Sequence, residues 1–167
     1  MKTMRKVFAL VLTMAMCAAM SVSTFALEED PWSQVTTKTY DLGNGIVATI
    51  TIAPNEITPM PMGFDVVDNA LASPTARHTF PLEEGEGPRC GAHVWNDSTD
   101  DTYLEAEFTA VIDGKTTRLP AEEVGPRENA NFNIENKDGD DLVGKVVTTI
   151  TALDSDSVRY SYNIEQY

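Results

Sequence analysis

Carboxylates and aromatic rings are the side chains whose types and spacing suit chemistry in this sequence. The run Asn136-Lys137-Asp138-Gly139-Asp140-Asp141 places four oxygen-bearing side chains around a glycine bend. Hard cations take several oxygen ligands, so Asn136, Asp138, Asp140 and Asp141 are the expected calcium ligands, and calcium is the one cofactor suggested. The run lacks the spacing and the terminal glutamate of a helix-loop-helix calcium loop. Asp, Asn and Gly are also ordinary turn formers, which gives the same residues a purely conformational role.

Aromatic rings offer a second kind of site. Trp32, Trp95, Tyr40, Tyr103, Tyr160, Tyr162 and Tyr167 suit stacking on sugars or packing against a protein. Strand alternation assigns Tyr160 and Tyr162 to the core. It places Tyr103 outside, beside the acidic stretch 97–101, and Trp32 precedes the first hairpin. Trp32 and Tyr103 are therefore the expected binding residues, for a glycan or a protein partner.

Catalytic frames are absent from the sequence. Cys90 and His93 are three apart, so on one strand they point to opposite faces, and with His78 they make only a weak set of soft metal ligands. Glu105 and Glu107 share one strand face, as solvated acids do, and nothing marks either as a general acid. No Gly-x-Ser-x-Gly elbow or glycine-rich phosphate loop occurs. The triplet Asn96-Asp97-Ser98 fits the N-glycosylation pattern.

The elements that carry these residues read as strands. Ile46, Ala48, Ile50 and Ile52 alternate with polar or smaller residues, and Val35–Leu42 is their hairpin partner across a three-residue loop, Gly43-Asn44-Gly45. Prolines 54, 59 and 61 mark a connector over 53–62. The stretch 63–71 suits either a short strand or one helical turn, and 77–82 suits a strand. Leu104, Ala106, Phe108, Ala110 and Ile112 line one face of a long strand that ends in the hairpin signal Asp113-Gly114. The stretch 120–126, bounded by prolines, reads as a loop. Strands follow at 129–134, with Ala130, Phe132 and Ile134 opposite three asparagines, at 142–152, and from Val158 onward.

That pattern predicts an all-β fold, an antiparallel β-sandwich of immunoglobulin-like or jelly-roll type with seven to nine strands, one face of each strand being wet. The acids cluster at predicted turns. Alternating strand directions put the groups at 97–101, 122–123 and 154–156 at one end, and Asp113 with 138–141 at the other.

The first 26 residues have the form of a secretory signal: basic residues at 2, 5 and 6, an apolar run over 7–20, and small residues Thr24 and Ala26 before the expected cut. Residues 27–167 then form a single all-β domain, with 27–62 as N-terminal hairpin and connector and 63–167 as the main strands. The apolar run is short for a bilayer span, so no membrane span is expected after cleavage. The destination is secreted, extracellular or associated with the cell surface.

The whole chain has 12 basic and 26 acidic residues and a formal charge of -14. Without the leader there are nine bases against 26 acids, a charge of -17. Such a polyanion has no electrostatic attraction for nucleic acid or anionic membranes. Cys90 is the one cysteine left, so no internal disulfide supports the fold. The chemistry absent and the fold expected point to a secreted, non-catalytic binding or surface-associated module. The alternative is a small secreted hydrolase or enzyme inhibitor working through an acidic loop end.

Overall fold

The computed structural model describes residues 35–55 and 65–167, which belong to one unit, Gln34–Tyr167. The signal reading, Trp32 and most of the proline connector lie outside the described residues.

Eleven strands are formed and no helix occurs among the described residues. They are β1 (Thr36–Gly43), β2 (Ile46–Pro54), β3 (Asp65–Ala72), β4 (Thr75–Leu82), β5 (Arg89–Asn96), β6 (Leu104–Ile112), β7 (Lys115–Arg118), β8 (Glu122–Val124), β9 (Glu128–Asn136), β10 (Gly144–Ala152) and β11 (Val158–Gln166). One sheet runs β1-β2-β9-β5-β11-β3, the other β4-β10-β6-β7, with β8 also paired to β6. Every pairing is antiparallel.

The pairing is nested. β3 pairs with β11, β4 with β10, β5 with β9, and β6 with β7. A chain that folds back on itself in this way and then wraps into two four-stranded layers is a jelly roll. The β1–β2 hairpin extends one layer beyond β9. This settles the choice between the two expected sandwich types in favour of the jelly roll.

The hydrophobic pattern explains the layers. Ile46, Ala48 and Ile50 of β2, Leu104 through Ile112 on alternate positions of β6, and Ala130, Phe132 and Ile134 of β9 are all buried between the sheets. Phe108 and Phe132 stack across the two sheets, with centroids 4.6 Å apart and planes 7° from parallel. Tyr160 and Tyr162 are in this core, as the alternation requires. Their hydroxyls are used inside it: Tyr160 bonds His78 Nε2 at 2.9 Å, and Tyr162 bonds Thr148 Oγ1 at 3.2 Å.

Two local readings need correction, and a third is decided between its alternatives. The first hairpin turns on two residues, Asn44-Gly45, because Gly43 joins the ladder opposite Ile46 after a bulge. Asn44 and Gly45 both take positive φ, 54° and 74°, as a tight turn of this hand demands. Of the two readings offered for 63–71, the described part, from Asp65 on, takes the strand, since β3 borders β11. The stretch 120–126 is not all loop. β7 and β8 are two halves of one edge strand along β6, and Pro120, which has no N–H to give, falls at the gap between them.

The acidic groups do collect at two ends. Asp97 N–H donates to Arg159 O and Leu153 N–H to Tyr103 O at one end; Asp113 N–H donates to Val143 O at the other. Glu122 departs from the pattern. It lies in β8 and is buried.

Candidate functional site

The sheet alternation divides β5 between two surfaces. Cys90, Ala92 and Val94 face the core, whereas Arg89, Gly91, His93 and Trp95 face the outer side of the six-stranded sheet. Beside them stand Asn129, Asn131, Asn133 and Glu135 of β9 and Ser161, Asn163, Glu165 and Tyr167 at and just beyond β11. The expected wet face is not wet throughout. Trp95, Asn129, Asn131, Ser161 and Asn163 are all buried. Several of their polar groups make bonds: Asn129 Nδ2 donates to Ala53 O at 3.0 Å, and His93 Nδ1 bonds Asn131 Oδ1. His93 also stacks on Trp95, with centroids 5.5 Å apart.

The lower part of this face is more open. Gly91 lies there between Asn133 and Glu165. A Cβ on Gly91 would stand 3.2 Å from Asn133 Oδ1, 3.6 Å from Tyr167 Cε1 and 3.8 Å from His93 Nε2. The edge of the Tyr167 ring thus lies within contact distance of this position, and Asn133 Oδ1 is its tightest neighbour. Tyr167 is held by two ladder bonds to Arg89, N–H to O at 2.9 Å and O from N–H at 3.0 Å. Its side is fixed by the backbone, yet the residue remains 50% exposed.

The electrostatics of the patch are defined. Burial lowers the pKa of His93, against the opposing effect of its bond to Asn131, so the ring is neutral at neutral pH. With the Nδ1 proton given to Asn131, Nε2 is an acceptor directed toward Gly91. Burial and Glu165 raise the pKa of the Tyr167 hydroxyl, which stays protonated. Lys137 and Arg89 flank Glu135 and hold its carboxyl below the ordinary range. An amide carbonyl, an imidazole nitrogen and a carboxylate therefore border an exposed aromatic ring, a set that accepts hydrogen bonds next to an apolar plane.

The residues expected from sequence fare differently. Tyr103 is half-buried, its ring 3.3 Å from where a Cβ on Gly125 would stand. Trp32 is outside the described residues. The four expected calcium ligands are not brought together. Asn136 Oδ1 accepts from the Asp138 N–H at 3.1 Å, the Asp138 carboxylate stands against Gly45, and Asp141 Oδ2 accepts from the Gly85 N–H at 2.7 Å. Among the described residues no three His, Cys, Asp or Glu side chains gather to hold a metal ion. Cys90 and His93 face opposite sides, as their odd spacing requires. Asn96 is fully buried, donating to Thr102 O at 2.9 Å and Val124 O at 3.0 Å, so its triplet is not an attachment point on the folded chain. Glu107 pairs with Arg118 on the outer side of the second sheet.

Sequence reasoning named Tyr167 among the aromatics and did not select it. Its alternation with Tyr160 and Tyr162 already put it on the opposite face. The signal missing was Gly91, which carries no side chain to notice.

No protein-family model matches the chain, and no curated protein matches it. Solved structures of similar form include the mitogen of Yersinia pseudotuberculosis, 11% identical over 59% of this chain and 87% of that one, with a TM-score of 0.34. The pre-peptidase C-terminal domain of a Bacillus anthracis collagenase is 12% identical over 59% of this chain and 90% of that one, with a TM-score of 0.36. TmCBM61, solved with β-1,4-galactotriose, is 10% identical over 81% of this chain and 90% of that one, with a TM-score of 0.30. At these scores the likenesses identify neither a family nor a ligand for this chain. Among the described residues no helix is long and apolar enough to cross a membrane.

Proposed function

We propose that the chain is a secreted, non-catalytic binding module, with a leader at 1–26 and one domain after it, and that it takes a glycan on the outer face of its six-stranded sheet. The observation that carries this reading is the half-exposed Tyr167 ring laid over Gly91, with Asn133 Oδ1 and His93 Nε2 beside it. The C–H face of a sugar ring is apolar and slightly positive, which suits the negative face of an aromatic ring. Its hydroxyls are donors, which suits a border of acceptors. A sheet face is also rigid, so little ordering is needed on binding.

The test is a glycan array probed with the purified protein, followed by calorimetry with the glycan retained best. Tyr167→Ala is expected to weaken binding roughly 3- to 10-fold through loss of stacking. Asn133→Ala is expected to weaken it while leaving the fold intact. An array with no retained glycan, or equal affinity in Tyr167→Ala, overturns the reading.

A further inference from the structure

β3 carries a bulge. The register runs Tyr162 opposite Val67 and Tyr160 opposite Ala70, so Asp68 and Asn69 together face the single residue Ser161. Asn69 takes a positive φ of 47° there. Ser161 is only 1% exposed, and its hydroxyl oxygen has three close partners. The Asn69 N–H donates to it at 3.0 Å. Asp68 Oδ1 lies 3.2 Å away and Asp97 Oδ2 lies 2.5 Å away. Asp97 belongs to the loop after β5 and is anchored by its N–H to Arg159 O at 3.1 Å. One hydroxyl thus joins the edge strand β3, the strand β11 and the β5–β6 loop.

Proton counting constrains this junction. A serine hydroxyl has one proton to give and two lone pairs to receive with. One lone pair takes the Asn69 N–H, and the one proton reaches one carboxylate. The other carboxyl oxygen then faces the hydroxyl oxygen with no proton between them, unless it brings its own. We infer that the Asp97 carboxyl holds an added proton against Ser161 in the folded protein, and that this proton is a pH-operated clasp holding β3 to the sheet. Ser161 donates to Asp68, and the Asp97 carboxyl donates to Ser161 across the shorter contact.

The surroundings agree. Desolvation, and then the charge of Asp68, raise the pKa of Asp97 against the opposing bond to Ser161. The cation on this side, Arg159 of β11, directs its guanidinium to Asn69 Oδ1 at 3.3 Å. His93 of β5 is kept neutral by its burial. A carboxyl raised in the folded state binds more protons there than in the unfolded chain. Stability therefore falls as pH rises from the ordinary aspartate value of about 3.9 through the raised one.

The experiment is an NMR titration of the Asp68 and Asp97 carboxyl carbons in the whole protein, with melting curves between about pH 4 and about pH 7. The Asp97 carboxyl is expected to keep its proton above the ordinary range. Asp97→Asn supplies a permanent N–H to Ser161. It is expected to flatten the pH dependence and to lower the unfolding constant at neutral pH by about tenfold for each unit of displacement. An Asp97 carboxyl that titrates at the ordinary value, or a variant whose melting follows the wild-type pH profile, overturns the inference. The titration needs no variant, so it decides the question even where Asp97→Asn does not fold.

Discussion

Lys38 Nζ lies 2.8 Å and 2.6 Å from the two carboxylate oxygens of Glu122, joining β1 at the edge of one sheet to β8 at the edge of the other. Nearby, Lys115 Nζ donates to Leu42 O and makes a second such link. The chain itself joins the layers on this side through the short loop between β8 and β9, and these contacts tie the edges together beside it. The pair is asymmetric. The side chain of Lys38 is 49% exposed and that of Glu122 is 8% exposed.

The asymmetry predicts unequal single mutants. Lys38→Met leaves a buried carboxylate with only the Tyr40 hydroxyl at 3.5 Å, whereas Glu122→Gln leaves an ammonium free to turn into water. Lys38→Met is expected to lower the melting temperature more than Glu122→Gln at pH 7. The bond to Glu122 raises the pKa of Lys38 above its ordinary 10.5. The contribution of the pair is then full below that value and is lost as pH rises through the raised one. Thermal melts of both variants from neutral to alkaline pH measure the order and the sign. An equal loss in both variants contradicts the proposed asymmetry.

Strand positions were legible because alternation is a local property: each residue of β6 declares its face by its neighbours two away. The nested pairing was not, because β3 meets β11 across roughly ninety residues of sequence and no turn between them encodes that contact. Glu122 illustrates the limit. Between prolines at 120 and 126 it reads as one more acid in a loop, and only the pairing of β8 with β6 reveals a buried strand residue. The proposed binding patch was half legible. The parity of Tyr167 was readable, but the neighbours it meets come from β5 and β9.

Cys90 presents three chemistries in the sequence: a core residue, an intermolecular disulfide or a reactive thiol. It is fully buried between Ala92 and the core strands, and desolvation, followed by the charge of Glu165, pushes its thiol up to about 12. At pH 8 the thiolate fraction is then about one in ten thousand. A chain of residues 27–167, which lacks Cys17, is expected to leave a thiol-specific chromogenic reagent unreacted when folded, and to release one equivalent on addition of denaturant. Stoichiometric reaction of the folded protein, or a disulfide-linked dimer on a non-reducing gel, contradicts this placement.

The Phe108–Phe132 stack is where the two layers meet most directly, and neither ring has any exposed surface. Ala110 and Ala130 adjoin the rings along β6 and β9, so no large neighbour from those positions can move in to fill a gap. Phe132→Ala then removes a ring from a fully buried site, and the cost combines lost transfer energy with whatever cavity the neighbours leave unfilled. It is expected to be about 3–5 kcal/mol. Phe132→Leu retains most of the apolar contact and loses the stacking, so its cost is expected to be smaller. Urea denaturation of the three proteins measures the difference through a shift in midpoint at constant slope. A Phe132→Ala midpoint indistinguishable from wild type would mean that the layers are held elsewhere, at the Lys38–Glu122 edge and the Tyr160–Tyr162 side rather than at the centre.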